Sequence, residues 1–220
     1  MYFFRTPWLF KYFFNKIVWS IKGEDKNIYL TFDDGPIPSV TSWVLKTLKE
    51  YNAKATFFCV GENVKKYPEV FQNVLDEGHM VGNHTFHHIN GMKHKSQAYL
   101  DDIALADEYI KSNLFRPPYG KFSYKQYKEL SKTYQIVMWD VLSGDFDKGI
   151  DYKTCLKKLQ NNIRPGSVIV FHDSVKSEGI LRLVLPQILE EYTTKGFTFK
   201  ALEGVVRKEY HKEIQQQENI

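Results

Sequence analysis

The sequence is short of cysteines, of long apolar runs and of net charge. Its two cysteines, Cys59 and Cys155, are too few for a disulfide framework, so the chain of 220 residues must be stabilised by its own core. It contains no apolar run of 18 residues, and we therefore expect no transmembrane helix. A net charge of +4 is too small to indicate a nucleic-acid partner, and 43% hydrophobic residues exclude an intrinsically disordered chain.

Residues 1–22 differ from the rest of the chain because they are aromatic and basic. They contain four cations and no acidic residue, whereas the other 198 residues carry 26 basic and 26 acidic side chains. Lys11 and Lys16 interrupt the apolar stretch and no small-residue cleavage site follows, which is unlike a signal peptide. Without such a signal we expect a cytoplasmic protein. Residues 1–22 form either a helix packed on the domain, which we favour, or an anchor that contacts a membrane surface.

From residue 26 onwards, short apolar runs alternate with amphipathic stretches. This alternation predicts a mainly parallel sheet with helices outside it, either doubly wound or closed into a barrel. The predicted strands are 28–32, 55–60, 80–83, 114–116, 136–140, 167–171 and 197–201, and the predicted helices are 40–51, 63–77, 96–112, 122–132, 152–162 and 179–193. We divide the chain into an N-terminal segment (1–25), one α/β domain (26–206) and a polar C-terminal tail (207–220).

Chemically active side chains follow several of these strands, and the carboxyl ends of parallel strands meet at one edge of a sheet. The run TFDDGP ends a strand in a turn with two adjacent carboxylates, Asp33 and Asp34. The run HTFHH places His84 and His88 four residues apart, the spacing at which two imidazoles on a helix bind one metal ion. Taken alone, each run has an ordinary alternative, a solvated Asp-Gly turn or a pair of structural histidines.

Three further runs complete the set. RPPYG is a rigid turn that can hold Arg116 pointing inward, where Asp33 is an available partner. Asp145 lies in the segment after the fifth predicted strand. His172 directly follows a buried strand and has acidic residues nearby, which is typical of a general acid.

Together and in this order, the five runs resemble the polysaccharide deacetylase (NodB-homology) family of metal-dependent carbohydrate esterases. The family patterns T-F-D-D-G, H-S/T-x-x-H, R-x-x-P-Y, D-x-x-D-W and L-x-H have counterparts in the same order between about residues 26 and 202, where the third run reads R-P-P-Y. The resemblance implies a distorted (β/α) barrel of about seven parallel strands with outer helices. Leu142 and Phe146 depart from the Asp and Trp of the fourth pattern, and Val170 replaces the Leu of the fifth.

The resemblance also implies a metal site and a general base. Asp34, His84 and His88 would hold one divalent metal ion, most suitably zinc, with cobalt or nickel as alternatives. Asp33 would be the general base that deprotonates the attacking water, and Arg116 would fix its orientation.

A general acid and an oxyanion donor are implied in the same way. His172 would protonate the departing amine, and Asp145 would hold the ring and favour its charged form. The backbone N–H of Tyr119 would help to stabilise the tetrahedral oxyanion.

The expected partner is an N-acetylated glycan, because the His172–Asp145 pair suits an amine leaving group better than an ester. An O-acetyl esterase of the xylan type, or a small-molecule amidohydrolase on the same fold, is an alternative. A non-catalytic carbohydrate-binding protein is a third hypothesis, although such a protein usually loses a metal ligand or the base. Nothing in the sequence indicates the oligomeric state.

Overall fold

One sheet of parallel strands lies at the centre of the molecule, and helices pack on its outside. This computed structural model describes residues 16–23 and 25–203. The strands are β1 (Asn27–Asp33), β2 (Ala55–Cys59), β3 (Met80–Asn83), β4 (Leu114–Phe115), β5 (Gln135–Ile136), β6 (Val141–Leu142), β7 (Val168–His172) and β8 (Thr198–Phe199). The helices are α1 (Pro38–Glu50), α2 (Gly61–Lys66), α3 (Pro68–Asp76), α4 (Ser96–Asp107), α5 (Tyr124–Thr133), α6 (Tyr152–Asn162) and α7 (Glu178–Thr194), with 3-10 turns at Gly91–Lys93 and Pro118–Gly120.

The strands follow the order β5-β4-β3-β2-β1-β7-β6, and β8 pairs with the start of β1. All of these strand pairs are parallel. Among the residues that the structure describes, the sheet remains open between β5 and β6. The expected distorted barrel of about seven parallel strands with outer helices is therefore confirmed.

Strand β1 shows how the sheet separates the core from the barrel interior. Phe32 lies in the apolar core, where its ring stacks on Phe57 with the centroids 5.0 Å apart. Because side chains alternate along a strand, Thr31 and Asp33 point to the opposite face. Asp33 is level with His172 of the neighbouring strand β7. Both residues therefore reach the same edge of the sheet.

Three predicted elements are wrong in their boundaries. The predicted helix 63–77 is divided into α2 and α3, because Pro68 lacks an N–H group and restricts the backbone of Tyr67 before it. The predicted strand 136–140 is replaced by the two short strands β5 and β6, and backbone carbonyl groups between them accept hydrogen bonds from the side chain of Arg116. Helix α4 is also shorter than expected and ends at Asp107.

Of the N-terminal segment (1–25), the structure describes residues 16–23 and 25. There the chain is not helical but forms isolated bridges with Val137 and Ser167. The helix expected within 1–22 therefore does not include these last residues. Residues 1–15 and the polar tail 207–220 lie outside the described residues. No helix within 16–23 and 25–203 has the length and hydropathy needed to cross a membrane.

Candidate active site

The carboxylate of Asp33 is held inside the barrel by Arg116. Nη1 of Arg116 donates to Asp33 Oδ1 at 2.7 Å and to Thr31 Oγ1 at 2.7 Å. Both charged side chains are buried, with 0% of Arg116 and 4% of Asp33 exposed. The second oxygen, Asp33 Oδ2, faces His84 Nε2 at 3.9 Å. The guanidinium thus holds one oxygen of Asp33, and the other is directed towards the histidines.

The guanidinium of Arg116 is fixed on its remaining sides as well. Nε donates to the carbonyl oxygen of Val137 at 3.2 Å, and Nη2 donates to that of Met138 at 2.9 Å. The ring of Phe58 lies against it, with the centroid 4.1 Å from Cζ. Burial lowers the pKa of Arg116 below its ordinary value, although the charge of Asp33 acts in the opposite direction. Since an arginine stays protonated in proteins, Arg116 is a fixed positive charge beside Asp33.

Asp34, His84 and His88 form a group whose potential ligand atoms all lie within 4.8 Å of one another. Asp34 Oδ1 is 3.8 Å from His84 Nε2 and 3.1 Å from His88 Nε2. His84 Nδ1 is 2.7 Å from the carbonyl oxygen of Arg116, which can only accept, so we assign the proton to Nδ1 and the lone pair to Nε2. Burial lowers the pKa of His84 to about 4 against the influence of Asp33, and the ring is therefore neutral near neutral pH.

A divalent cation fits this group. Asp34 Oδ1 is buried and has no well-formed hydrogen bond among the described residues, although His88 Nε2 lies 3.1 Å away. A buried carboxylate oxygen without a partner is costly unless a cation satisfies it. Burial by itself raises the pKa of Asp34, but contact with His88 and the charges of His172 and His84 outweigh it and hold the pKa below its ordinary value. Asp34 is therefore ionised, as a metal ligand must be.

The loop that carries the two histidines is not the helix that their spacing suggested. Thr85 and His88 adopt positive φ angles of 64° and 54°, so the chain turns sharply between the two rings. Asp102 of α4 holds this turn, because its Oδ2 accepts hydrogen bonds from the backbone N–H groups of Phe86 at 3.0 Å and His87 at 3.1 Å. The His87 side chain pairs with Asp102 as well, and so lies outside the candidate metal group.

Strand β7 ends in His172, whose ring is paired with Asp145. Nδ1 lies 2.8 Å from Asp145 Oδ1, and Asp145 Oδ2 accepts the backbone N–H of His172 at 2.8 Å. Ser143 Oγ also donates to Oδ1, at 2.8 Å. Burial by itself lowers the pKa of His172, but the charge of Asp145, with smaller effects of Asp34 and Asp33, raises it to about 9. The ring is therefore charged near neutral pH, with Nε2–H as its second donor.

Tyr119 lies next to the candidate metal group, at the exposed side of the site. Its φ angle is 60°, its side chain is 61% exposed, and its ring centroid is 4.8 Å from that of His88. Phe146, which departs from the family pattern, packs edge-on against the His172 ring at 5.0 Å. Both aromatic rings thus border imidazoles of the site.

Asp173 is a residue of this site that the sequence analysis did not assign. Its Oδ1 accepts the backbone N–H of Gly35 at 3.1 Å, and its Oδ2 accepts the hydroxyl of Thr41 at 2.5 Å. A Cβ atom on Gly35 would lie 2.0 Å from Asp173 Oδ2, so this contact requires glycine. An acidic residue next to His172 was visible in the sequence, but nothing there indicated a partner 138 residues away.

The fold and the grouped carboxylates and imidazoles are those of a hydrolase that acts through an activated water. The chain belongs to the polysaccharide deacetylase family, whose model matches residues 20–137. The family and the hydrolytic activity expected from the sequence are therefore confirmed.

Relatives of known activity extend this result over most of the chain. Two peptidoglycan-N-acetylglucosamine deacetylases of Bacillus cereus are similar to it, one 35% identical over 80% of this chain and 66% of the relative, the other 30% identical over 87% and 93%. A chitooligosaccharide deacetylase of Azorhizobium caulinodans is 34% identical over 70% of this chain and 76% of the relative. The crystal structure of a peptidoglycan N-acetylglucosamine deacetylase, 32% identical, superposes with a TM-score of 0.79 and covers 92% of this chain and 97% of that one.

Proposed function

We propose that this chain removes the acetyl group from N-acetylglucosamine residues of a glycan. One arrangement carries the proposal: Asp33 and His172 lie level on adjacent strands, next to the candidate metal group. Asp33 faces His84, and the charge of His172 helps to lower the pKa of Asp34 against the effect of burial. A carboxylate and a charged imidazole close to a metal group are the base and acid that amide hydrolysis needs. The names of the relatives, which concern peptidoglycan N-acetylglucosamine and chitooligosaccharides, support the same substrate class.

Asp34, His84 and His88 would hold one divalent metal ion. A carboxylate and two imidazoles suit zinc, and cobalt or nickel would fit the same donor set. When bound, such an ion lowers the pKa of a coordinated water and polarises a carbonyl oxygen.

The protein groups would divide the proton transfers between them. Asp33 would accept the proton of the attacking water through Oδ2, because Arg116 occupies Oδ1. His172 would donate its Nε2 proton to the departing amine, because Asp145 holds the other ring nitrogen. The backbone N–H of Tyr119 would donate to the oxyanion, a contribution worth about 10²–10³-fold in rate at a well-placed donor.

Acetate release from chitooligosaccharides tests the proposal. Chelator-treated protein should be inactive and should regain activity with zinc or cobalt. Asp33→Asn should retain zinc but lose about 10²–10⁴-fold in kcat. His84→Ala should lose zinc, whereas His94→Ala, which changes an exposed histidine, should keep it.

Two results would contradict these assignments. Near-normal activity of Asp33→Asn would mean that another group is the base. A protein that neither binds zinc nor releases acetate from chitooligosaccharides, peptidoglycan or acetylated xylan would instead be a carbohydrate-binding protein.

The choice between amide and ester depends on His172. His172→Ala should slow an N-acetyl substrate much more than an activated acetyl ester, because an ester leaving group needs less protonation. Equal slowing of both would exclude the leaving-group role, and acetate release from defined N-acetyl and O-acetyl substrates would then separate a deacetylase from an O-acetyl esterase.

We also propose a cytoplasmic protein whose N-terminal segment packs on the domain. The buried side chains of Ile17 and Trp19 support the packing. The full chain should then stay in solution with anionic vesicles, as should the Arg5→Gln/Lys11→Gln variant. Pelleting of the full chain but not of this variant would indicate a membrane anchor instead, and cell fractionation would test the location.

A further inference from the structure

The N-terminal residues Ile17–Ile21 cross the opening of the barrel, and we call them the strap. At one end Val18 pairs with Val137: its N–H donates to the carbonyl of Ile136 at 2.9 Å, and its carbonyl accepts the N–H of Met138 at 2.8 Å. At the other end the N–H of Ile21 donates to the carbonyl of residue 166 at 2.8 Å, just before β7. The strap therefore links the two sides between which the described sheet is open.

The strap is built into the fold by packing as well as by hydrogen bonds. The side chains of Ile17 and Trp19 are 5% and 9% exposed, and both belong to the apolar cluster that contains Met138. Gly166 has a φ angle of +81°, and a Cβ atom there would lie 1.9 Å from the carbonyl oxygen of Ile21. The chain thus has a glycine at the position where the backbone of the strap leaves no room for a side chain.

The segment that Val18 holds is the segment that holds Arg116. The carbonyl groups of Val137 and Met138 accept Nε and Nη2 of the guanidinium, and the same guanidinium donates Nη1 to Asp33 Oδ1. Met138 therefore connects the strap to Arg116: its N–H donates to the carbonyl of Val18, and its own carbonyl accepts a hydrogen bond from Arg116. Because a guanidinium is rigid and planar, a shift of its two carbonyl acceptors also reorients Nη1, which donates to Asp33.

We propose that the strap is a positioning element of the active site, in which Val18 sets the orientation of Asp33 through Met138 and Arg116. This inference rests on the proposed role of Asp33 as the base. The backbone contacts of the strap lie with residues 136–138 and 166–167 and not with Asp34, His84 or His88, so we expect an effect on the rate of the chemical step and unchanged metal binding.

Two proline variants of the full chain test the proposal, because each removes one backbone donor of the strap. Val18→Pro removes the bond to Ile136 next to the Arg116 acceptors, and Ile21→Pro removes the bond at the far end. We expect Val18→Pro to lower kcat by about tenfold to 10²-fold with KM within about twofold, since small misplacements of reacting groups have effects of this size. Ile21→Pro should lower the melting temperature similarly and keep kcat within about threefold of the wild type.

A double variant tests whether the effect passes through Arg116. In an Arg116→Lys background, Val18→Pro should have little further effect on kcat, because coupled residues are not additive. If the kcat effects multiply instead, the strap does not act through Arg116.

A spectroscopic readout separates this inference from the proposed function. In ¹⁵N-labelled protein, the Nε–H signal of Arg116 should shift or broaden in Val18→Pro and stay in place in Ile21→Pro. That result would support the positioning role even if the wild type released no acetate. An unmoved Nε–H signal in Val18→Pro, or equal kcat losses in both variants, would overturn it.

A second pair of variants serves if Val18→Pro does not fold. Trp19→Ala and Leu130→Ala both remove a buried side chain from the same apolar cluster, one on the strap and the other on α5. Only Trp19→Ala should lower kcat, by at least about threefold at matched loss of stability. Equal effects of the two would overturn the proposal.

Discussion

Asp145 holds His172 at two points, because one carboxylate oxygen contacts ring Nδ1 and the other accepts the backbone N–H of the same residue, each at 2.8 Å. The ring is therefore fixed relative to the strand that carries it. Burial alone would lower the pKa of His172, but Asp145, the strongest of the influences that raise it, together with Asp34 and Asp33 brings it to about 9.

Replacing this carboxylate should move the alkaline limb of the pH profile. His172 must be protonated to act as an acid, so activity falls as the pH rises through its pKa. Asp145→Asn removes the charge that raises this pKa, and the alkaline limb of kcat/KM should move to lower pH. Ser143→Ala, which removes only a hydroxyl donor to Asp145, should move it much less. If the alkaline limb stayed at the same pH in Asp145→Asn, a group other than His172 would control it.

Arg116 should not be replaceable by lysine. A single ammonium group cannot reach Asp33 and the two backbone carbonyl acceptors at once. Arg116→Lys should therefore lower kcat by about 10²-fold while zinc content stays unchanged. Leaving buried acceptors without their donors should also reduce the free energy of unfolding by about 1–3 kcal/mol.

Arg182→Lys is the matched control, because Arg182 pairs with Glu178 at the surface. It should leave kcat unchanged and alter the free energy of unfolding by less than about 1 kcal/mol. If Arg116→Lys and Arg182→Lys behaved alike in urea unfolding and in acetate release, the buried contacts of Arg116 would contribute neither to stability nor to activity.

The contact between Gly35 and Asp173 should control metal affinity. A side chain on Gly35 cannot fit beside the Asp173 carboxylate, and the backbone of the neighbouring ligand Asp34 would have to shift. Gly35→Ala should weaken zinc binding by at least about tenfold, as changes next to metal ligands commonly do. Asp173→Asn should have a smaller effect, because its amide oxygen can still accept the Gly35 N–H.

Gly179→Ala is the control for this series, since nothing lies within 4 Å of a Cβ atom at that position. Zinc affinity can be measured by competition with a chromogenic chelator. Unchanged affinity in Gly35→Ala would show that the loop adapts without moving Asp34.

His79 should make the metal-free protein less stable in acid. Its Nδ1 accepts the N–H of Ala55 at 3.1 Å, and burial, helped by Lys54, lowers its pKa from 6.5 to about 4. Because the unfolded chain binds this proton more readily, the contribution is present above about pH 6.5 and is lost as the pH falls towards 4. His79→Gln should therefore show a shallower loss of unfolding free energy between these pH values.

Urea unfolding in the presence of a chelator measures this difference. His94→Gln, which changes an exposed histidine, should follow the wild type across the same range. If His79→Gln loses stability as steeply as the wild type, protonation of His79 does not contribute to acid unfolding.

Short-range patterns determined much of this protein. The alternation of apolar runs and amphipathic stretches predicted the parallel strands, and the residues after those strands predicted Asp33, Asp34, His84, His88 and His172 as neighbours. That prediction works because parallel strands bring their carboxyl ends to one edge, whatever their order in the sheet. The resemblance of the five runs to one family supplied the expected role of each residue.

The tertiary structure decided how these groups are held. The two histidines reach Asp34 from a loop with positive φ angles rather than from a helix. Asp173 contacts Gly35 across 138 residues of chain, and Val18 contacts the segment beside Arg116 across more than a hundred. Such contacts depend on which strands become neighbours and on the space between them, and no local pattern of the sequence records either. The residues of the site could thus be read from the chain, whereas their orientation came only from long-range packing.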